Sequence, residues 1–298
     1  MATVNQWAAG ARPRTLPMAV SPVVIGAAAA VSIASGLSTL GWRPWAVAVL
    51  ALVVALALQV GVNYANDYSD GVRGTDDVRV GPMRLTATGA AAAGQVKAAA
   101  FISFGLAALA GVGVVLLTGL WWMLVLGAAC VLAGWWYTGG KHPYGYLGLG
   151  EAVVFLFFGL VATLGTTFAM VQQVSVAAGV GAVSHGLIAA ALLMANNIRD
   201  IPTDRETGKR TLAVRLGERP ARWGYTVMLA AAVLLPMLLV LANPWYLLVA
   251  LSWVFCLGPV RITLFRRRTG VALIPVLQQT SLVGLVFAAA FSAALLLS

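Results

Sequence analysis

Two stretches carry residue types and spacings that could do chemistry. They are Asn66-Asp67-Tyr68-Ser69-Asp70 and Asn196-Asn197-Ile198-Arg199-Asp200-Ile201-Pro202-Thr203-Asp204. Residues four apart share a helix face, so Asn66 with Asp70, Asn196 with Asp200, and Asp200 with Asp204 each offer paired oxygen donors to one side. Such hard oxygen ligands suit Mg²⁺, which keeps several waters and shares itself with substrate phosphates. Asp76 follows the first motif, and Arg73, Arg84, Arg199, Arg205, Lys209 and Arg210 lie near the acids in sequence. Carboxylates that hold a metal, among fixed cations that clamp outer oxygens, are what a Mg²⁺-bound diphosphate requires. One polar motif at the mouth of a membrane helix is ordinary headgroup chemistry. Two with matching Asn-x3-Asp spacing point to metal–diphosphate chemistry.

The elements that must position these motifs are membrane helices. Of 298 residues, 61% are hydrophobic and only 9% charged, far from the balance of a soluble domain. Nine apolar runs approach bilayer length: 16–34, 46–62, 98–117, 120–137, 152–170, 176–195, 223–241, 244–260 and 272–297. The expected fold is all-α, a polytopic membrane protein of about nine transmembrane helices in a single domain, 1–298. The first motif closes the second run and the other closes the sixth. Four runs separate them, which suggests pseudo-repeat halves, 1–140 and 141–260, with a ninth helix at 272–297. Pro202 is expected to weaken and bend the end of the sixth helix. The first run lacks a cleavage site, so no removable leader is read. Cys130 and Cys256 fall within runs, without disulfide or metal spacing, and read as small buried residues.

The formal charge of +10 invites a nucleic-acid reading, which its distribution excludes. With nine crossings, all but Arg43 of the 19 basic residues fall on one side, which the positive-inside rule makes cytoplasmic, with the C-terminus outside. The acidic residues gather at the same rim, although topology does not demand it. A transporter would place charges near the bilayer midplane, so this one-sidedness favours a rim-located enzyme over an ion-coupled carrier. Arg266-Arg267-Arg268 reads as a headgroup anchor for membrane lipid.

The chain resembles the UbiA-type intramembrane prenyltransferases typified by 4-hydroxybenzoate polyprenyltransferase. Both acidic motifs carry the resemblance, with Arg12-Pro13-Arg14-Thr15-Leu16, Arg73-Gly74-Thr75-Asp76, Gly81-Pro82 and Lys209-Arg210-Thr211-Leu212-Ala213. Gly148-Leu149-Gly150-Glu151, Phe155-Leu156-Phe157-Phe158-Gly159 and Ala162-Thr163-Leu164-Gly165-Thr166 are most similar to the branch acting on 1,4-dihydroxy-2-naphthoate in menaquinone biosynthesis, in its actinobacterial form. The resemblance implies a helical bundle with a central cavity open to lipid and capped by cytoplasmic loops, in the bacterial plasma membrane. It implies transfer from a polyprenyl diphosphate to the naphthoate, with loss of CO₂ and diphosphate. Another acceptor such as 4-hydroxybenzoate, homogentisate, chlorophyllide or a sugar phosphate would use the same chemistry.

Carried over residue by residue, the metal ligands are Asn66, Asp70, Asp200 and Asp204, holding Mg²⁺ as two ions that bridge the diphosphate. Asp67 and Asp76 are supporting acids in the catalytic set, with Glu151 and Lys141. The diphosphate is assigned to Arg12, Arg73, Lys141, Arg199, Arg205 and Lys209. Glu151 begins the fifth run, where the helix dipole alone favours an acid. Its functional alternative is to orient or deprotonate the aromatic acceptor. His185, within the sixth run, reads as a helix–helix hydrogen bond.

Overall fold

The computed structural model describes residues 2–74 and 83–297. The expected Asp76, together with Gly81-Pro82, lies outside the described residues. Among them the chain is helical, in this order: α1 (Val4–Gly10), α2 (Pro17–Ile33), α3 (Trp42–Val72), α4 (Ala93–Thr118), α5 (Met123–Trp136), α6 (Gly150–Val171), α7 (Val176–Glu206), α8 (Leu212–Leu216), α9 (Glu218–Leu239), α10 (Pro244–Phe265) and α11 (Gly270–Leu296).

Among the described residues, seven helices are long and apolar enough to cross a bilayer, and α1 with α2, bent by 49°, makes an eighth. The remaining run of the nine read from sequence, 120–137, forms the shorter α5, whose C-terminal end leads to Thr138 beside Asn66. Gly119 (φ 73°) ends α4 in a left-handed cap, and the following turn leaves α5 with 14 residues. At 1.5 Å per residue that helix rises only about 21 Å, short of a hydrocarbon layer of about 30 Å. Along α4, Ile102, Leu109 and Leu116 recur at intervals of seven and stay exposed, the stripe expected of a helix wall facing lipid.

α3 and α7 have 31 residues each. Each is about 46 Å long, so its last turns project beyond the apolar layer, where charged side chains cost far less. Both acidic motifs occupy those last turns. Pro202 does not end α7, which continues to Glu206. The N–H that proline lacks is one bond in a long helix whose flanking residues Arg199, Asp200, Ile201 and Asp204 are all buried.

α2 packs against α3, α6, α7 and α11, while α7 packs on α6, α9 and α11. The α6–α7 contact is unusually close. A Cβ added to Gly159 would lie 2.6 Å from the Gly186 Cα. Beside it α6 widens into a π-type segment, Phe155–Val161, in which backbone carbonyls lose their usual partners. His185, fully buried on α7, has Nδ1 3.1 Å from the Phe158 carbonyl, the helix–helix bond expected for it.

Candidate active site

The last turns of α3 present three buried polar residues to different partners. Asn66 Oδ1 accepts from the Thr138 hydroxyl (2.8 Å). Asp70 Oδ1 accepts from the Tyr146 hydroxyl (2.8 Å), and its Oδ2 lies 3.8 Å from Arg84 Nη2. Asp67, expected as a supporting acid, has both oxygens on backbone: Leu85 N–H donates to one (2.7 Å) and Thr86 N–H to the other (2.9 Å). One residue along a helix turns the side chain by about 100°, so Asp67 cannot share the Asn66–Asp70 face. It staples the loop after α3 to the helix.

The end of α7 has the same spacing and another electrostatic solution. Arg199 grips the adjacent Asp200 with Nε and Nη2, both at 2.7 Å, and all of this is buried. Its remaining Nη1 is buried without a protein partner. Asp204 Oδ1 lies 3.9 Å from Lys209 Nζ, and its Oδ2 accepts from Thr211 Oγ1 at 3.4 Å. Gly208, at φ 75°, turns the chain so that Lys209 returns over the helix end, its amide donating to the Asp204 carbonyl (2.8 Å).

Tyr146 joins the two ends. Its hydroxyl holds Asp70 on the α3 side, and its carbonyl accepts from the Arg210 N–H (3.1 Å) on the α7 side. Lys209 Nζ lies 5.1 Å from the ring centre and the Arg73 guanidinium 5.3 Å from it, both within cation–π range. Arg73 also donates to the carbonyls of Thr138 and Gly140, which fixes the loop after α5.

Beneath these polar ends lies an apolar cavity of about 250 Å³ lined by α2 to α6. Tyr137 and Tyr144 mark its polar end; Val114, Met123 and Ala169 lie deeper. Along α6 the lining runs from Val153 to Ala169, about 24 Å of helix at 1.5 Å per residue. A slot this apolar and long suits an extended hydrocarbon. Burial raises the pKa of the Tyr144 hydroxyl, which remains a donor, to the Ala133 carbonyl (2.8 Å). Cys130 lines this cavity as a free thiol, and Cys256 is free and buried. Glu151, at the start of α6, is 5% exposed and accepts from Asn197 Nδ2 (2.8 Å).

The structure therefore brings Asn66, Asp70, Arg73, Asp200, Asp204 and Lys209 to one end of the bundle, with Arg199 and Glu151 beside them. Lys141 and Arg205 are exposed on the same rim. Arg12 lies at the entry to α2, where Asn63 Nδ2 donates to the Ala11 carbonyl (2.9 Å) and ties that segment to α3. Tyr146, Thr138 and Asn197 were missed as contacts of the acids. Their partners lie 76, 72 and 46 residues away, beyond any helical period.

Among the described residues no three His, Cys, Asp or Glu side chains form a ready metal cage. The donors nevertheless fit Mg²⁺: buried carboxylate and carboxamide oxygens on two helices, the hard ligands whose shell that ion completes with water and substrate oxygens. The buried, partnerless Arg199 Nη1 fits a phosphoryl oxygen equally well.

Residues 20–282 match the model of the UbiA prenyltransferase family. The chain is 47% identical to the 1,4-dihydroxy-2-naphthoate octaprenyltransferase of Mycobacterium tuberculosis, over 99% of this chain and 98% of that one. It is 35% identical to the Escherichia coli protein of the same name, over 92% and 89%. Among solved structures, an Archaeoglobus fulgidus UbiA homolog bound to GPP and Mg²⁺ superimposes with a TM-score of 0.69 at 15% identity, covering 98% of this chain and 100% of that one. With its two acidic helix ends, its apolar cavity and a family match across most of its length, this chain belongs to the UbiA prenyltransferase family.

Proposed function

We propose that this protein transfers a polyprenyl group from polyprenyl diphosphate to 1,4-dihydroxy-2-naphthoate, releasing diphosphate and CO₂, as a step of menaquinone biosynthesis. The observation that carries the reading is the convergence of both acidic helix ends, through Tyr146, over an apolar cavity. The choice of acceptor rests on the full-length relatives named for that reaction, at 47% and 45% identity.

Asn66, Asp70, Asp200 and Asp204 would hold Mg²⁺, as two ions in this reading, which when bound supplies positive charge to the departing diphosphate. Arg199 would offer its free Nη1 to the same oxygens while its other two nitrogens keep Asp200 in place. Lys209 and Arg73, braced on the Tyr146 ring, add charge at the rim, with Arg12, Lys141 and Arg205 as outer contacts. Asp67 contributes by holding the loop at Leu85 and Thr86. The allylic C–O bond breaks with its electron pair passing to the diphosphate. The ring carbon bearing the carboxylate then bonds to the allylic carbon, and the carboxylate leaves as CO₂, returning its pair to the ring. The apolar cavity keeps water from the cationic centre, which would otherwise yield the alcohol.

The active end faces the cytoplasm of a bacterial plasma membrane, as the one-sided basic residues imply, and anionic lipid meets the rim at Arg266-Arg267-Arg268. The two long helices are counterparts in a pseudo-repeat of 1–140 and 141–260. Purified protein given labelled prenyl diphosphate and a panel of aromatic acids tests the acceptor. Transfer to dihydroxynaphthoate is expected; transfer to 4-hydroxybenzoate alone would overturn the assignment.

A further inference from the structure

We infer that Glu151, held by Asn197, is the anchor for a hydroxyl of the aromatic acceptor, and that Tyr137 and Tyr144 wall the ring beside it. The inference rests on the prenyl-transfer reading above and deepens it by locating the second substrate.

Three observations lead here. First, Glu151 uses only one oxygen: Oε1 accepts from Asn197 Nδ2 at 2.8 Å, and Oε2 is buried with no partner in the protein. The helix dipole at the start of α6 explains an acid in this position but not a second oxygen withdrawn from water. A buried acceptor left unmatched is costly unless something that binds there supplies the donor.

Second, the surroundings are aromatic. A Cβ added to Gly150 would lie 3.3 Å from the Tyr137 ring and 3.5 Å from its hydroxyl, so that ring lies directly against the residue preceding Glu151. Tyr137 and Tyr144 meet edge-on, with ring centres 5.5 Å apart. Both line the polar end of the cavity together with Val153 and Val154, the next turn of the Glu151 helix. Third, the polyprenyl chain carries no donor and the diphosphate is anionic, so neither can satisfy a carboxylate oxygen. A hydroxylated aromatic ring can: its flat face suits the tyrosines and its O–H suits Oε2. That hydrogen bond also pushes electron density into the ring and makes its carbons better nucleophiles. The acceptor's own carboxylate would turn away from Glu151, toward the basic rim.

Glu151→Gln separates this role from a structural one, because the amide oxygen can still accept from Asn197. The expected result is a fall of about 10- to 100-fold in kcat/KM for the acceptor, the loss of one charge-assisted hydrogen bond, with KM for prenyl diphosphate changed by less than about twofold. Asn197→Leu, which frees the carboxylate, should lower the same constant by a smaller factor. The double variant should be no worse than Glu151→Gln alone, since both act through one contact. Unchanged acceptor kinetics in Glu151→Gln, or an equal loss for both substrates, would overturn the inference. Failure of the underlying reading looks different: wild-type protein would prenylate none of the aromatic acids. If another aromatic acid proves to be the acceptor, the Glu151→Gln defect should follow that compound.

Discussion

The ends of α3 and α7 carry the same Asn-x3-Asp spacing, yet they hold their acids in different ways. On α3 the partners of Asn66 and Asp67 are neutral, a threonine hydroxyl and two backbone amides, and a tyrosine hydroxyl joins Arg84 at Asp70. On α7 the partners include cations close in sequence, Arg199 at Asp200 and Lys209 at Asp204. Asp70, the carboxylate of the two proposed α3 ligands, accepts from a neutral hydroxyl and has Arg84 3.8 Å from its other oxygen. A carboxylate gripped by a guanidinium at 2.7 Å is already neutralised, and its cation is positioned for an anion arriving from outside. The proposed site therefore differs at its two ends chiefly in Arg199, which on α7 would join ligation by Asp200 to clamping of the diphosphate.

This difference predicts a graded set of effects. The largest falls on the proposed metal ligands. Asp70→Asn or Asp204→Asn should lower kcat by about 10³-fold or more, a loss of several kcal/mol of charge stabilisation, while the protein still inserts and folds. Turnover assays in excess Mg²⁺ check this, and EDTA should abolish wild-type turnover until Mg²⁺ is restored. Next is Arg199→Lys, which keeps the charge but loses the planar fork. A fall of about 10- to 100-fold in kcat/KM for prenyl diphosphate is expected, with little change for the acceptor. Tyr146→Phe should cost about tenfold, because it releases Asp70 but keeps the ring under Lys209 and Arg73. Tyr146→Leu should cost more, and a Phe variant as poor as Leu would show that the hydroxyl alone matters. The smallest catalytic effect belongs to Asp67→Ala. Freeing the Leu85 and Thr86 amides should lower stability by about 1–3 kcal/mol, seen as a reduced midpoint in thermal unfolding in detergent.

The helices were legible because apolar runs of bilayer length leave few alternatives, and the placing of both acidic motifs at helix ends was legible because i, i+4 spacing is a local property. Two things were not. The length of α5 depends on where Gly119 and the following turn close the helix, which hydropathy does not register. The partners of each acid are distant in sequence: Leu85 is 18 residues from Asp67, and Tyr146 is 76 from Asp70. Residue type placed Asp67 with the acids of the site, whereas its direction around the helix sends it to a loop. Nothing local distinguishes a tyrosine ring at a bilayer rim from one that, like Tyr146, bridges two helices.

Calorimetric titration of a prenyl diphosphate into the purified protein, with Mg²⁺ or with EDTA, tests the joint site without relying on turnover. Wild-type protein should bind only with Mg²⁺, and Asp70→Asn and Asp204→Asn should each lose that Mg²⁺-dependent binding, because both helix ends serve one site. Binding that survives EDTA, or that persists at wild-type affinity in either variant, would contradict a shared Mg²⁺–diphosphate site at the ends of α3 and α7.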